Sequence, residues 1–204
     1  MNGLPSRLLV VTDRKLAQRP LEHVVAQALE GGARWIWFRD KNVSAPERRA
    51  VGERLLRICS DAGATLSVGG AAEEALATGA SAVHLPAGGD PREARAMLGD
   101  HALIGVSAHS LDEAARIASL GADYVTLSPI YESASKPGYG PALGTSALQA
   151  ASQIGIPVVA LGGVSLECVS ACLTAGAAGI AIMGAVMSAP SASVAVAAFM
   201  AKSK

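Results

Sequence analysis

Aromatic side chains are scarce in this chain, 3% of 204 residues against 50% hydrophobic. A core of that composition is built from Ala, Val, Leu and Ile, as buried parallel strands and the helices covering them require. Excess charge is absent as well. Lys and Arg number 17, and Asp and Glu also number 17. No overall field therefore draws the chain to nucleic acid or an anionic membrane, and any basic cluster must be local. Cysteine is limited to Cys59, Cys168 and Cys172, an odd number without metal-type pairing. These read as small buried residues in a reduced, cytoplasmic setting. Long unbroken apolar runs are missing too. Leu8 to Val11, ended by Asp13, is too short for a signal peptide. Ala175 to Ala201 carries no charge, but Gly, Ser and Pro190 interrupt it. It reads as a buried strand, a loop and an Ala-rich packing helix, and no membrane partner is expected.

Apolar strand-like runs alternate with helical ones along the chain. The strands are "RLLVVTD", "RWIWFRD", "ATLSVGG", "SAVHLP", "ALIGVS", "DYVTLSP", "IPVVALGG" and "AGIAIMG". A helix is expected after each. The helices stop at glycines before the next strand, at Gly31-Gly32, Gly63, Gly79, Gly99, Gly121, Gly155 and Gly176. Ser44, Ser110 and Ser165 are the expected N-caps, with Glu47 and Glu113 three residues after the first two. "GGARWIWF", "TGASAVHL", "LGADYVTL" and "AGAAGIAI" repeat one pattern on strands 2, 4, 6 and 8. The repeating unit is thus a strand-helix-strand-helix quarter of roughly 45 residues. A closed (βα)8 barrel, an α/β TIM barrel formed as a single domain over 1–204, explains the fourfold recurrence. A doubly wound open sheet gives no reason for it.

In such a barrel the site lies at the C-terminal ends of the strands. Gly162-Gly163 after strand 7 and Met183-Gly184 after strand 8 place small residues where backbone N–H groups can hold a phosphate. Arg39 and Lys41 project from the mouth of strand 2, as a phosphate or diphosphate site needs. The 17-residue stretch "SPIYESASKPGYGPALG" after strand 6 brings Ser133, Ser135 and Lys136 and has the length of a lid. Strand 5 offers Ser107 and His109. His84 on strand 4 reads equally as a core histidine or a site residue. Strands 3 and 4 instead run out into bare glycine pairs, Gly69-Gly70 and Gly88-Gly89.

Taken together these residues resemble the thiamin phosphate synthase and TenI (thiazole tautomerase) family over essentially the whole chain. The resemblance rests on "VTDR", "FRDK", "ALATGASAVHL", "IGVSAHSLDEA", "GADYVTLSPIYESASK", "IPVVALGGV" and "AGAAGIAIMGAV", in that order. It implies a small phosphorylated substrate of the thiazole phosphate type. It implies Arg39, Lys41, His84, Ser133, Ser135, Gly162, Gly163, Met183 and Gly184 as substrate contacts. Lys136 and Ser107 match family positions and, with His109 offered by its place after strand 5, are the expected catalytic residues. The family's Gln-x-Arg-x-Lys reads Trp37-Phe38-Arg39-Asp40-Lys41 here, so the cations match and the Gln is Trp. The family's two Mg²⁺-holding aspartates fall on Gly70 and Gly89, with Asp90 one place late. Mg²⁺ needs carboxylate oxygens in near-octahedral array, so no metal and no cofactor is expected.

Three functions follow as expectations. The first is a synthase-like transferase, which would join a pyrimidine diphosphate to thiazole phosphate. The second is a TenI-like isomerase; that branch's catalytic histidine falls on Pro129 here, so His109 or His84 would replace it. The third is a non-catalytic phosphate-ligand binding protein. Trp35 and the Ala-rich last helix serve either internal packing or a homodimer contact.

Overall fold

A computed structural model describes residues 3–40, 43–132 and 140–203. Eight parallel strands close on themselves in sequence order, β1 pairing with both β2 and β8. They are β1 Leu8–Val11, β2 Trp35–Phe38, β3 Thr65–Gly69, β4 Ala82–Leu85, β5 Leu103–Ala108, β6 Tyr124–Leu127, β7 Val158–Leu161 and β8 Gly179–Ile182. The covering helices are α1 Leu21–Glu30, α2 Ala45–Asp61, α3 Ala72–Thr78, α4 Pro91–Leu98, α5 Leu111–Ser119, α6 Gly144–Ala151 and α7 Val169–Thr174. A short α8 Gly184–Met187 follows β8, and α9 Ala192–Lys202 packs back onto α1. Each expected strand is present, and the α/β TIM barrel holds. No helix among the described residues is long and apolar enough to cross a membrane.

The two-residue strand period sorts the side chains. Leu8, Val10, Ile36, Phe38, Val83, Ile104 and Val125 face outward and join the helices in one continuous apolar layer. Leu9, Val11, Trp35, Trp37, Tyr124, Val159 and Ala181 form a second cluster inside the barrel. The few aromatics are thus concentrated: both tryptophans and one tyrosine plug the interior. Trp35 and Tyr124 meet edge to face with centroids 4.8 Å apart, and the Trp35 indole N–H donates to Ser67 Oγ at 2.9 Å. Any side chain at Gly105 would collide with the Tyr124 ring, so that glycine makes the space the tyrosine fills. Trp35 is fully buried, and the dimer role considered for it is corrected to interior packing.

The helix starts follow the sequence with one exception. Ser44 Oγ accepts from Glu47 N and Ser110 Oγ from Glu113 N. Ser165 does not cap α7: its hydroxyl donates to the Glu167 carboxylate at 2.5 Å, a turn follows, and Cys168 takes the N-cap position. Asp90, unexpectedly, caps α4, its Oδ1 accepting from Arg92 N at 2.9 Å.

Candidate active site

The C-terminal ends of the strands surround two adjoining cavities of about 640 and 610 Å³. Trp37, Arg39, Ser128 and Leu161 line both and form the divide between them. The first cavity lies over β7, β8 and β1. The second lies over β2 to β5.

Glycine backbone forms much of the first cavity. Gly162 and Gly163 both have positive φ, 89° and 66°. A Cβ on Gly162 would come 2.9 Å from Pro129 Cα, and one on Gly163 would collide with the carbonyls of Tyr131 and Glu132. The β7 turn is thus clamped against the start of the β6 loop, where Ile130 N donates to Leu161 O at 2.9 Å and Tyr131 N to Gly162 O at 3.0 Å. Gly184 differs. Its φ is ordinary, and nothing lies within 4 Å of where its Cβ would stand. Packing does not demand a glycine there, and its bare face borders the cavity. Arg39 supplies positive charge from the opposite wall, loosely tied to Asp13 at 3.5 Å. Backbone N–H groups and a guanidinium are the donor types that hold anions.

The second cavity is floored by His84. Its Nδ1 lies 2.8 Å from Tyr124 Oη, and its Nε2 lies 3.0 Å from Ser107 Oγ and 3.3 Å from Thr126 Oγ1. The Trp37 ring lies over it, centroids 3.8 Å apart. Burial holds the imidazole neutral, its pKa pushed down to about 3. Both ring nitrogens are engaged by neighbouring hydroxyls, so His84 is a fixed floor and a poor proton carrier. His109 stands higher, at the end of β5. Its Nδ1 lies 2.9 Å from the Ser128 carbonyl. A carbonyl only accepts, so Nδ1 carries the proton and Nε2 is the basic nitrogen of the neutral ring. Its backbone N–H donates to the Glu113 carboxylate at 2.7 Å.

The bare glycines of β3 are explained by what occupies their space. A side chain on Gly69 would strike the Trp37 indole nitrogen. A side chain on Gly70, whose φ is 126°, would strike the Glu74 carboxylate. Glu74 is paired there with Arg48, which also donates to Gly69 O and, at 2.7 Å, to Asp40 O.

The sequence matches the description "Thiamine monophosphate synthase" over residues 8–186. The chain belongs to that family. It is 38% identical over 184 residues to the thiamine-phosphate synthase of Roseiflexus sp. (strain RS-1), covering 89% of this chain and 78% of that one. It is 40% identical over 195 residues to that of Chlorobium luteolum, covering 94% and 90%. The structure superposes on thiamine phosphate pyrophosphorylase from Pyrococcus furiosus with TM-score 0.85 and 31% identity, over 96% and 94% of the two chains.

The resemblance puts the family's two Mg²⁺-holding aspartates at the ends of β3 and β4, on Gly70 and Gly89. Gly70 and Gly89 bring no carboxylate. Gly89 is packed on Leu85 and Pro86 in a tight turn. Glu74 is committed to Arg48. Asp90 stays on α4, with Arg92 holding its carboxyl down at a pKa of about 2 through side-chain and backbone hydrogen bonds. Among the described residues no three His, Cys, Asp or Glu side chains form a metal-like group.

Arg39, His84, Ser107, His109, Gly162, Gly163, Met183 and Gly184 all line the two cavities. Lys41, Ser133, Ser135 and Lys136 lie outside the described residues. Sequence reasoning missed Ser128, Glu132, Ser188, Arg48 and Glu74. Ser128 had a signal, because it continues the inward alternation of Tyr124 and Thr126. Arg48 had none, because nothing in a helix sequence says that one arginine bends over the neighbouring strand ends.

Proposed function

We propose that this chain binds a thiazole phosphate-type ligand and acts on that ligand alone, by a proton-transfer isomerisation that uses no divalent metal. The observation that carries the reading is Gly184, a glycine without a packing reason, beside the Gly162-Gly163 turn and opposite Arg39. The phosphate sits against these turns and the ring extends toward Ser128 and Trp37. His109 moves the proton through Nε2, with Nδ1 held by the Ser128 carbonyl. Ser107 adds a hydroxyl to the polar surround. Three free thiols, two of them buried, suit a reducing cytoplasm.

The test is to follow interconversion of thiazole phosphate carboxylate isomers, with and without EDTA, for the parent and His109→Gln. Metal-independent turnover that falls in the variant supports the reading. Tight binding without turnover would leave a non-catalytic carrier. A second reading, alkyl transfer from a pyrimidine methyl diphosphate to thiazole phosphate, is favoured by the names of relatives 36–40% identical over most of the chain. It requires thiamin phosphate to form when both substrates and Mg²⁺ are supplied.

A further inference from the structure

Six uncharged polar side chains inside the barrel form one connected set. Trp35 Nε1 lies 2.9 Å from Ser67 Oγ, and Ser67 hydrogen-bonds the Tyr124 hydroxyl. Tyr124 Oη lies 2.8 Å from His84 Nδ1. His84 Nε2 lies 3.0 Å from Ser107 Oγ and 3.3 Å from Thr126 Oγ1. Trp35, Ser67, Tyr124, His84 and Thr126 are buried. Ser107 alone is partly exposed, and it lines the second cavity.

Each member has one hydrogen to donate, and the donor inventory fixes the direction of every bond. An indole N–H only donates, so Ser67 Oγ accepts from Trp35. At the other end His84 Nε2 meets two hydroxyls. A bare ring nitrogen presents one lone pair, which cannot serve both, whereas an N–H is readily shared between two acceptors. Nε2 therefore carries the proton. Nδ1 accepts from Tyr124, and Tyr124 accepts from Ser67. All the bonds then run one way, from Trp35 toward the cavity. The opposite tautomer would crowd two hydroxyls on one lone pair. It would also make Ser67 accept from both Trp35 and Tyr124, with its own hydrogen unused. In the favoured direction Ser107 and Thr126 keep spare hydrogens, and only that of Ser107 stands at the cavity.

We propose that His84 is a positioning residue. Held as its Nε2–H tautomer by the bonds from Trp35, it turns the Ser107 hydroxyl into a fixed donor to the ring-borne carboxylate of the ligand. This rests on the ligand reading above and adds which group enters the second cavity, and what receives it. A hydroxyl whose oxygen already accepts from an N–H is polarised into a stronger donor. An ionised carboxylate only accepts, so it matches that donor. With the phosphate against the first cavity, the ring substituent is the part of the ligand left to cross the shared divide.

The chain has four histidines, and in a long-range ¹H–¹⁵N spectrum the His84 ring is assigned by His84→Gln. Nδ1 is expected without a proton and Nε2 with one. Calorimetry then compares thiazole phosphate carboxylate with thiazole phosphate, which lacks the carboxylate. Ser107→Ala should weaken the first roughly 10- to 150-fold, one hydrogen bond to a charged group, and leave the second within about twofold. His84→Leu, without a ring N–H, should show the same selective loss. His84→Gln, whose amide brings an N–H near the Nε2 position, should hold the carboxylate within about threefold of the parent. A packing role alone would weaken both ligands together. A proton on Nδ1 overturns the proposal, and so does Ser107→Ala weakening both ligands equally or neither. Those outcomes leave the ligand reading standing. A parent that binds neither compound overturns the ligand reading, and the carboxylate assignment falls with it, while the ring spectrum still judges the tautomer.

Discussion

The two cavity glycines Gly184 and Gly162 should respond in opposite ways to added side chains. At Gly184 the backbone is ordinary and the Cβ position is empty. Alanine there removes unfolded-state freedom and opens α8 with a better helix former, so Gly184→Ala should be neutral or stabilising by up to about 1 kcal/mol. Valine gives up part of that gain and projects its branches into the first cavity, where the proposed phosphate would sit. Losing one or two charge-assisted backbone hydrogen bonds corresponds to about 2–3 kcal/mol, a roughly 30- to 150-fold weaker complex. Gly162→Ala instead forces a side chain into φ 89° and against Pro129 Cα at 2.9 Å. The φ alone costs about 1–2 kcal/mol and the contact adds to it, so a loss of roughly 2–4 kcal/mol is expected. Urea unfolding gives the stabilities, and calorimetry with inorganic phosphate and thiazole phosphate gives the affinities. The reasoning fails if Gly184→Val destabilises as Gly162→Ala does, because Gly184 would then be a packing glycine. It fails equally if Gly184→Val binds like the parent.

Arg48 holds the β3 end by two bonds to backbone carbonyls and is 12% exposed, whereas Glu74 is 44% exposed. Arg48→Ala should therefore cost about 2–3 kcal/mol and Glu74→Ala under about 1 kcal/mol in urea unfolding, and the reverse order would refute the assignment. His84 supplies a pH test. Its folded pKa, about 3, lies below the ordinary 6.5. Above 6.5 both folded and unfolded chains hold it neutral and it costs nothing. As pH falls below 6.5 the unfolded chain binds a proton that the folded chain refuses, so stability drops by a little over 1 kcal/mol per pH unit, roughly until pH 3. Parent minus His84→Gln should show this slope between pH 6.5 and 5, and the His84 ring resonances should stay unshifted from pH 8 to 5. A midpoint near 6.5 would contradict its burial.

The barrel was legible because local rules agreed. The two-residue alternation on each strand, glycine before the next strand and serine caps at Ser44 and Ser110 pointed to one architecture. The place of Gly162, Gly163, Met183 and Gly184 on a cavity wall was legible for the same reason, since small residues after β7 and β8 have positional meaning. What the sequence could not show was the content of Gly69 and Gly70. Read alone, the pair is a loss of carboxylates. In three dimensions the spaces are filled from elsewhere, by Trp37 two strand positions before Arg39 and by Arg48 and Glu74 from two helices. Those partners are 32, 22 and 4 residues distant in the chain from the glycines they meet, and no periodicity links them. The Ser165 cap was misread because a serine hydroxyl chooses between backbone and side-chain partners, and here Glu167 takes it.

The central claim is that the phosphate end is kept while the residues at β3 and β4 do not provide for a metal. Calorimetric titration of thiazole phosphate in Mg²⁺ and again in EDTA, followed in the same samples by assay for thiamin phosphate after adding the pyrimidine methyl diphosphate, tests it most directly. The account predicts equal affinity in both buffers and no thiamin phosphate above background. Mg²⁺-dependent formation of thiamin phosphate would contradict it.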